Sequence, residues 1–309
     1  MMLAGSAALR PRWLAGTDAP LRRWRIAIGY NGFMSSGAKY GRQHAIEEVL
    51  RFAQKEGFDG VELVDGWPAP YPLGDAAATD EVRRRHEAYG LRIFSIQLGA
   101  DGAFRPEPAA RTRWLADLEP RAAMAAALGA VHVGLWPGGP LGSQTKQAAL
   151  GHLIDSLRRA GDVLERHGLV GSVEIEPPFV FNTPEDLIAL SRIGHPRLGV
   201  MFDPSHYDLM NGGTGHPEEL LRRVGVPSLG YVHFTDTDGT LRDGGTSKHL
   251  AAGEGHVDLE ASLRLLWDGG YRGWIMIDAW ETEDPFHASR AGLQMLQRFA
   301  QRQQAEEPR

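Results

Sequence analysis

The sequence contains no cysteine. This absence excludes disulfide bonds, thiolate zinc sites and cysteine nucleophiles, so any metal ion must be bound by carboxylates and imidazoles. The sequence also lacks a run of about 18 apolar residues, the length that a membrane-spanning helix needs. We therefore expect no association with a membrane.

An unbroken apolar stretch is also missing from the N-terminal segment. The letters "MMLAGSAALRPRWLAG" scatter Arg and Pro among short apolar pieces, whereas a secretory signal needs a continuous apolar region. We expect residues 1–23 to form a flexible extension, with an arm at a subunit interface as the alternative. The expected compartment is the cytoplasm.

Excess positive charge is absent as well, since the formal net charge is −6. This balance argues against binding to duplex nucleic acid, which usually requires a basic face. The length of 309 residues is common for a single barrel domain. We place the domain at residues 24–302 and a C-terminal tail at residues 303–309.

From Trp24 onward, short apolar runs alternate with longer helical patterns. The strand candidates are "WRIAIGY", "FDGVELV", "LRIFSIQLG", "AVHVGLW", "GSVEIEP", "LGVMFD", "LGYVHFTD" and "GWIMIDAW". Eight such units predict a parallel sheet closed into a single-domain (β/α)8 TIM barrel. An open doubly wound sheet is the alternative, but "GYNGFMSSG" lacks the G-x-G-x-x-G spacing of a dinucleotide fold.

Ionisable residues lie at the ends of the last four predicted barrel strands. Strand five carries Glu174 and Glu176, and the next three strands carry Asp203, His233 and Asp278. Because reactive groups in such barrels lie at the carboxyl ends of the strands, these side chains predict a divalent-metal site. Glu176 is the predicted ligand from strand five because it is nearer the end, and Glu174 is the alternative or a supporting residue.

Several motifs match a known family in order. They include "GFDGVEL", "GLRIFSIQLG", "VEIEPPFVFNTPEDLIAL", "LGVMFDPSHY", "VHFTDTDG" and "GEGHVDLEASLRLLWDGGYRGWIMID". Over roughly Trp24 to Arg302, the chain resembles the xylose isomerase-like TIM barrel superfamily, in its sugar phosphate isomerase/epimerase branch.

The resemblance implies one divalent metal ion, with Mn²⁺ expected first and Mg²⁺, Co²⁺ or Zn²⁺ as alternatives. Its implied ligands are Glu176, Asp203, His233 and Asp278. The family commonly has Glu where this chain has Asp278, and Glu281 is a conceivable replacement. The Pro177-Pro178 pair stands where many relatives carry a His that contacts the substrate.

Substrate contacts are expected from four further residues. The resemblance assigns His206 and Arg242 to the substrate, and Trp67 and Trp136 follow strands two and four, where an indole can stack on a sugar. Tyr30 and Phe33, near strand one, are similar candidates, although packing is the alternative for all four aromatic residues. The glycine-rich loop 236–255 is a candidate lid that carries Arg242, Lys248 and His249.

These residues predict a metal-dependent isomerase or epimerase of a keto sugar or sugar-like polyol. A metal ion would polarise the carbonyl and stabilise the enediolate, while Glu176 and Asp278 act as acid and base. One alternative is a lyase acting on 3-keto sugars or C-glycosides with a small partner subunit. A non-catalytic sugar-binding barrel and an abasic-DNA endonuclease are less favoured, the latter because of the acidic balance. We expect a homo-oligomer.

Overall fold

The computed structural model describes residues 24–243 and 245–306. The parallel strands are β1 (Arg25–Gly29), β2 (Gly60–Leu63), β3 (Arg92–Gly99), β4 (His132–Trp136), β5 (Val170–Val173), β6 (Leu198–Phe202), β7 (Leu229–Phe234) and β10 (Trp274–Ile277). They close in the order β1-β10-β7-β6-β5-β4-β3-β2. The predicted TIM barrel is therefore confirmed. The extension that we predicted at residues 1–23 lies outside the described residues.

The helices follow the strands around the barrel. They are α1 (Tyr30–Tyr40), α2 (Ile46–Glu56), α3 (Ala76–Glu87), α4 (Pro108–Ala127), α5 (Lys146–Arg166), α6 (Pro184–Ser191), α7 (Pro204–Met210), α8 (Pro217–Val224), α9 (Leu259–Asp268) and α10 (Pro285–Glu306). The last helix continues past the boundary that we placed at Arg302. Within the described residues, none of these helices is both long and apolar enough to cross a membrane.

The barrel interior has an apolar layer below a polar one. Phe94 stacks on Trp274 with ring centroids 4.7 Å apart, and Met201 and Met276 belong to the same buried cluster. Successive strand residues point to opposite faces, so Trp274, Met276 and Asp278 form one inward row. Asp278 therefore extends the apolar row of β10 into a polar layer at the carboxyl end of the barrel.

An antiparallel hairpin follows β7 directly. Its strands are β8 (Asp236–Leu241) and β9 (Ser247–Leu250), which lie within the loop that we predicted as a lid. Thr237 pairs with His249, and the register is irregular between Thr237 and Leu241. Because the hairpin begins where β7 leaves the barrel, it brings residues of β9 to the carboxyl end of the strands.

Candidate active site

Four buried side chains converge at the carboxyl end of the barrel. Glu174 follows β5, Asp203 follows β6, His233 lies in β7 and Asp278 follows β10. His233 Nδ1 lies 3.1 Å from Glu174 Oε1 and 3.2 Å from Asp278 Oδ2. Ligand atoms of Glu174, Asp203 and His233 all lie within 4.8 Å of one another. The strand ends thus assemble a compact set of oxygen and nitrogen donors.

Three atoms of this set are buried and form no hydrogen bond of good geometry, although two of them face each other as an ion pair at 3.1 Å. They are Glu174 Oε1, Asp203 Oδ2 and His233 Nδ1. Burying a polar atom that lacks a good hydrogen bond is costly, so such atoms call for an explanation. A cation placed among them would satisfy all three, and carboxylate oxygens with one imidazole suit a divalent ion. The residues present therefore fit a metal site.

The start of α7 orients Asp203. Its Oδ1 caps this helix by accepting hydrogen bonds from the backbone N–H of Ser205 at 2.7 Å and of His206 at 3.3 Å. An Asp before a Pro at the first helical position is a typical helix start. Since Oδ1 is used by the cap, Oδ2 is left to face the cluster.

Glu62 of β2 orients His233 from the other side. His233 Nε2 lies 3.0 Å from Glu62 Oε2, which leaves Nδ1 facing the carboxylates. Glu62 also accepts hydrogen bonds from Gln97 and Tyr231. We did not predict this role for Glu62. Its signal was a single carboxylate inside the apolar run "GVEL", where packing alone does not require charge.

The electrostatics of the cluster favour a cation. Burial alone lowers the pKa of His233, but the carboxylates of Glu174 and Glu62 outweigh it and hold that pKa well above its ordinary value. Burial raises the pKa of Asp278, but His249 and His233 outweigh it and hold that pKa well below its ordinary value. Negative charge is thus stabilised here by whatever positive charge is nearby, whether a proton or a metal ion.

Glu176 lies next to this cluster and faces a cavity. Its Oε2 lies 3.2 Å from His206 Nε2 and accepts a hydrogen bond of 2.5 Å from Thr246 Oγ1. Burial raises the pKa of its carboxyl group, and the charge of His206 opposes this rise. The structure therefore groups Glu174, rather than Glu176, with Asp203 and His233. Glu176 as a metal ligand stays a prediction that these contacts do not favour.

A second group, formed by Asp203, His206 and His249, also has metal-ligand spacing. A protein hydroxyl bridges it, because Ser247 Oγ lies 2.7 Å from His206 Nδ1 and 3.1 Å from His249 Nε2. The same oxygen lies 2.7 Å from Ser205 Oγ, which donates to Asp203 Oδ1. We interpret this group as a hydrogen-bond network that orients two imidazoles toward the cavity.

The cavity above both groups has a volume of about 280 Å³. It is lined by Asn31, Met34, Gln97, Trp136, Glu174, Glu176, His206, Thr246, His249, Asp278 and Trp280. The Trp136 and His233 ring centroids are 6.1 Å apart. Asp278 Oδ1 accepts hydrogen bonds of 2.9 Å from Asn31 Nδ2 and from the backbone N–H of Trp280. His206 and Trp136, which we predicted to contact the substrate, both line this cavity.

Two predicted substrate residues lie elsewhere. Arg242 donates from Nη2 to the backbone oxygen of His249 at 3.2 Å and does not line the cavity. Trp67 packs against Tyr30 and Phe33, with ring centroids 5.1 and 5.8 Å away, and lines a separate apolar cavity. Trp67, Tyr30 and Phe33 therefore pack against one another, as in the alternative that we gave to substrate contact.

Two loop residues that we considered are held in ion pairs instead. Glu281, the conceivable replacement for Asp278, pairs with Lys39 at 2.5 Å. Lys248 pairs with Asp238 within the hairpin. Asp278, and not Glu281, is therefore the carboxylate that lies beside His233.

Comparison with known proteins identifies the family to which the chain is similar. A family model described as a xylose isomerase-like TIM barrel matches residues 50–299. A Danio rerio protein assigned as a hydroxypyruvate isomerase is 24% identical over 170 residues, which cover 52% of this chain and 56% of that protein. The chain spans about half the length of the curated relatives that it matches.

Solved structures share the fold over most of the chain. The IolI protein with a bound zinc atom is 17% identical with a TM-score of 0.70, covering 89% of this chain and 96% of that one. The 3-keto-D-glucoside 4-epimerase of E. coli is 20% identical with a TM-score of 0.66, covering 89% and 100%. Together with the match over residues 50–299, the closed barrel shows that this chain belongs to the xylose isomerase-like TIM barrel family.

Proposed function

We propose that this chain is a divalent-metal-dependent isomerase or epimerase of a keto sugar or sugar-like polyol. The observation that carries the proposal is the convergence of buried atoms of Glu174, Asp203 and His233, which form no hydrogen bond of good geometry, beside a cavity. The cavity of about 280 Å³ is near the lower end of small-molecule sites, which range from roughly 300 to 1,000 Å³.

Glu174, Asp203, His233 and Asp278 would hold the ion. Mn²⁺ remains the expected metal, and the zinc-bound relative supports a divalent ion in general. When bound, such an ion polarises a carbonyl and makes the neighbouring carbon more acidic. Glu62 holds His233 in the tautomer that presents Nδ1 to the site.

Glu176 is the proposed general base. Its carboxylate lines the cavity, and the Thr246 hydroxyl and His206 Nε2 fix its orientation. The pKa of Glu176 is raised toward neutral pH, and a carboxylate with such a pKa can both take and return a proton. Asp278 reaches the cavity from β10 and is the candidate for the second acid/base group. His206 uses both ring nitrogens for Ser247 and Glu176, whereas His249 Nδ1 forms no hydrogen bond and is placed to donate to a substrate hydroxyl.

Exchange of solvent deuterium tests the proposal. Protein loaded with Mn²⁺ is incubated with D-fructose or D-tagatose in deuterated water, and deuterium next to the carbonyl is measured by nuclear magnetic resonance. We expect exchange that depends on the metal and disappears in Glu176→Gln. Equal exchange in Asp203→Asn, which lacks a proposed ligand, would contradict the assignment of the site. A lyase would begin with the same proton transfer, and product analysis in this assay separates the two outcomes.

A further inference from the structure

The cavity lining carries three carboxylates and two imidazoles, those of His206 and His249. Glu174, Glu176 and Asp278 contribute carboxylates, and Asp203 and Glu62 lie immediately behind them. Among the described residues that line the cavity, none is lysine or arginine. A phosphate group carries about two negative charges at neutral pH and is usually bound by Arg, Lys or a helix N-terminus.

At two helix N-termini that border the cavity, side-chain oxygens accept hydrogen bonds from backbone N–H groups. At the start of α7, Asp203 Oδ1 accepts from the N–H groups of Ser205 and His206. At the start of α1, Asn31 Oδ1 accepts from the N–H of Gly32 at 2.8 Å. A carboxylate at the first of these positions also repels an anion, so the start of α7 does not suit a phosphate group.

Helix α1 and the hairpin β8–β9 both border the cavity, and their three lysine and arginine side chains each have a partner. Lys39 of α1 pairs with Glu281 at 2.5 Å, and Lys248 of β9 pairs with Asp238. Arg242 donates to the backbone oxygen of His249 at 3.2 Å. Lys39 and Lys248 are thus paired with acids, and Arg242 is bonded to the backbone; none of the three lines the cavity.

The remaining wall is suited to an uncharged ligand with apolar faces. Trp136, Trp280 and Met34 provide the large apolar groups of the lining. Indole faces pack well against the C–H faces of a sugar, while carboxylates and imidazoles bond its hydroxyls. The cavity thus combines stacking surfaces with hydroxyl-binding groups.

We propose that this site accepts an uncharged polyhydroxy ketone and excludes its phosphorylated form. The inference rests on the proposed function and narrows it to a substrate class. It also predicts that a substitution at one position of the cavity wall would allow the phosphorylated form to bind. Met34, on α1, faces the cavity with an uncharged side chain, so a lysine there would place a cation within reach of a phosphate.

The test compares each free ketose with its own phosphate ester. Wild-type protein loaded with Mn²⁺ is assayed for deuterium exchange with D-fructose, D-fructose 6-phosphate, D-tagatose and D-tagatose 6-phosphate. We expect kcat/KM for the free ketose to exceed that for the ester by at least about tenfold, which equals ~1.4 kcal/mol. Thermal shifts with the same pairs measure binding independently of turnover and should rank the ligands in the same order.

Two matched variants of Met34 test whether the lack of a cation in the cavity wall causes the discrimination between ketose and ester. Met34→Lys should raise the ester-to-ketose ratio by at least about threefold, whereas the uncharged Met34→Gln should leave the ratio near the wild-type value. Equal or faster exchange of the esters by wild-type protein would overturn this inference and leave the proposed function standing. Exchange with neither the ketoses nor the esters would instead overturn the proposed function, and this inference with it. If Met34→Lys does not fold, the wild-type comparison alone decides.

Discussion

His233 Nε2 lies 3.0 Å from Glu62 Oε2, and this contact determines which ring nitrogen faces the carboxylate cluster. A carboxylate bonded to a metal-binding His fixes its tautomer and raises its basicity. The two residues come from β7 and β2, which lie apart in the order of barrel strands. A distant strand therefore sets the chemical state of a predicted ligand.

Replacing Glu62 tests this coupling. Glu62→Gln should weaken Mn²⁺ binding by about 10- to 100-fold, because the neutral amide supports the imidazole less well. Titration calorimetry measures the affinity, and circular dichroism checks that the fold persists. The exposed Glu81→Gln on α3 is the matched control. Unchanged affinity in Glu62→Gln would show that the contact has no role in metal binding.

The two glutamates after β5 should separate by function. Glu174→Gln should lose most Mn²⁺ binding, because it removes a charged donor beside His233 Nδ1. Glu176→Gln should still bind Mn²⁺ but lose about 10²- to 10⁴-fold in deuterium exchange, the usual contribution of a general base. Metal affinity and exchange rate are measured on both variants. The reverse pattern would restore Glu176 as the ligand, as predicted from the sequence.

The Ser247 hydroxyl should matter for turnover more than for stability. Ser247→Ala removes the shared partner of His206 Nδ1 and His249 Nε2, so both rings lose orientation. We expect kcat to fall by about tenfold, equivalent to one buried hydrogen bond of ~1 kcal/mol or slightly more. Thr240→Ala, in the exposed part of the same hairpin, is the control. Equal kcat in both variants would contradict the network.

Metal binding should stabilise the fold. The carboxylates of Glu174, Asp203 and Asp278 lie together in the folded protein, so a bound cation relieves their repulsion. At a free Mn²⁺ concentration about 100 times Kd, linkage gives ~2.7 kcal/mol and a rise in Tm of several degrees. A chelator should reverse the rise. The same shift in Asp203→Asn would mean that the ion binds elsewhere.

A buried histidine below the site should make the fold sensitive to acid. Burial lowers the pKa of His132 to about 3, against an ordinary value of 6.5. Above pH 6.5 neither state takes the proton, but between 6.5 and about 3 only the unfolded chain does, so stability falls as pH falls. The slope from this group is ~1.4 kcal/mol per pH unit.

Denaturant unfolding between pH 7 and pH 4 measures this slope. His132→Phe removes the titrating group while keeping a ring beside Tyr231, whose centroid lies 5.3 Å away. The variant should lose stability less steeply with acid than the wild type does. Parallel curves for the two proteins would show that His132 does not contribute.

The barrel was predictable because each strand is an apolar run between glycine-rich turns and helices. Asp203, His233 and Asp278 were found for the same reason, since each interrupts or ends such a run. The choice between Glu174 and Glu176 was not predictable. Both share one face of an extended chain, and only the structure shows that β5 ends at Val173, which places Glu174 at the rim.

The positions of Arg242 and His249 could not be predicted, because they depend on how the strands of the hairpin pair. The sequence marks residues 236–255 as a polar, glycine-rich loop, but not that it pairs with itself. The pairing of Thr237 with His249 brings β9 toward the cavity and leaves Arg242 bonded to the backbone. Glu62 was missed because its partner, His233, is distant in sequence, and one carboxylate in a short strand gives no sign of its contact.

The hairpin β8–β9 supplies Thr246 and His249 to the cavity, yet it forms a two-stranded sheet of its own, outside the closed barrel. Its ladder of hydrogen bonds is internal, so its tip can lengthen, shorten or be exchanged without disturbing the shear of the eight-stranded cylinder. Changes in this hairpin can therefore alter substrate preference during evolution, while Glu174, Asp203, His233 and Asp278 at the ends of the barrel strands stay unchanged.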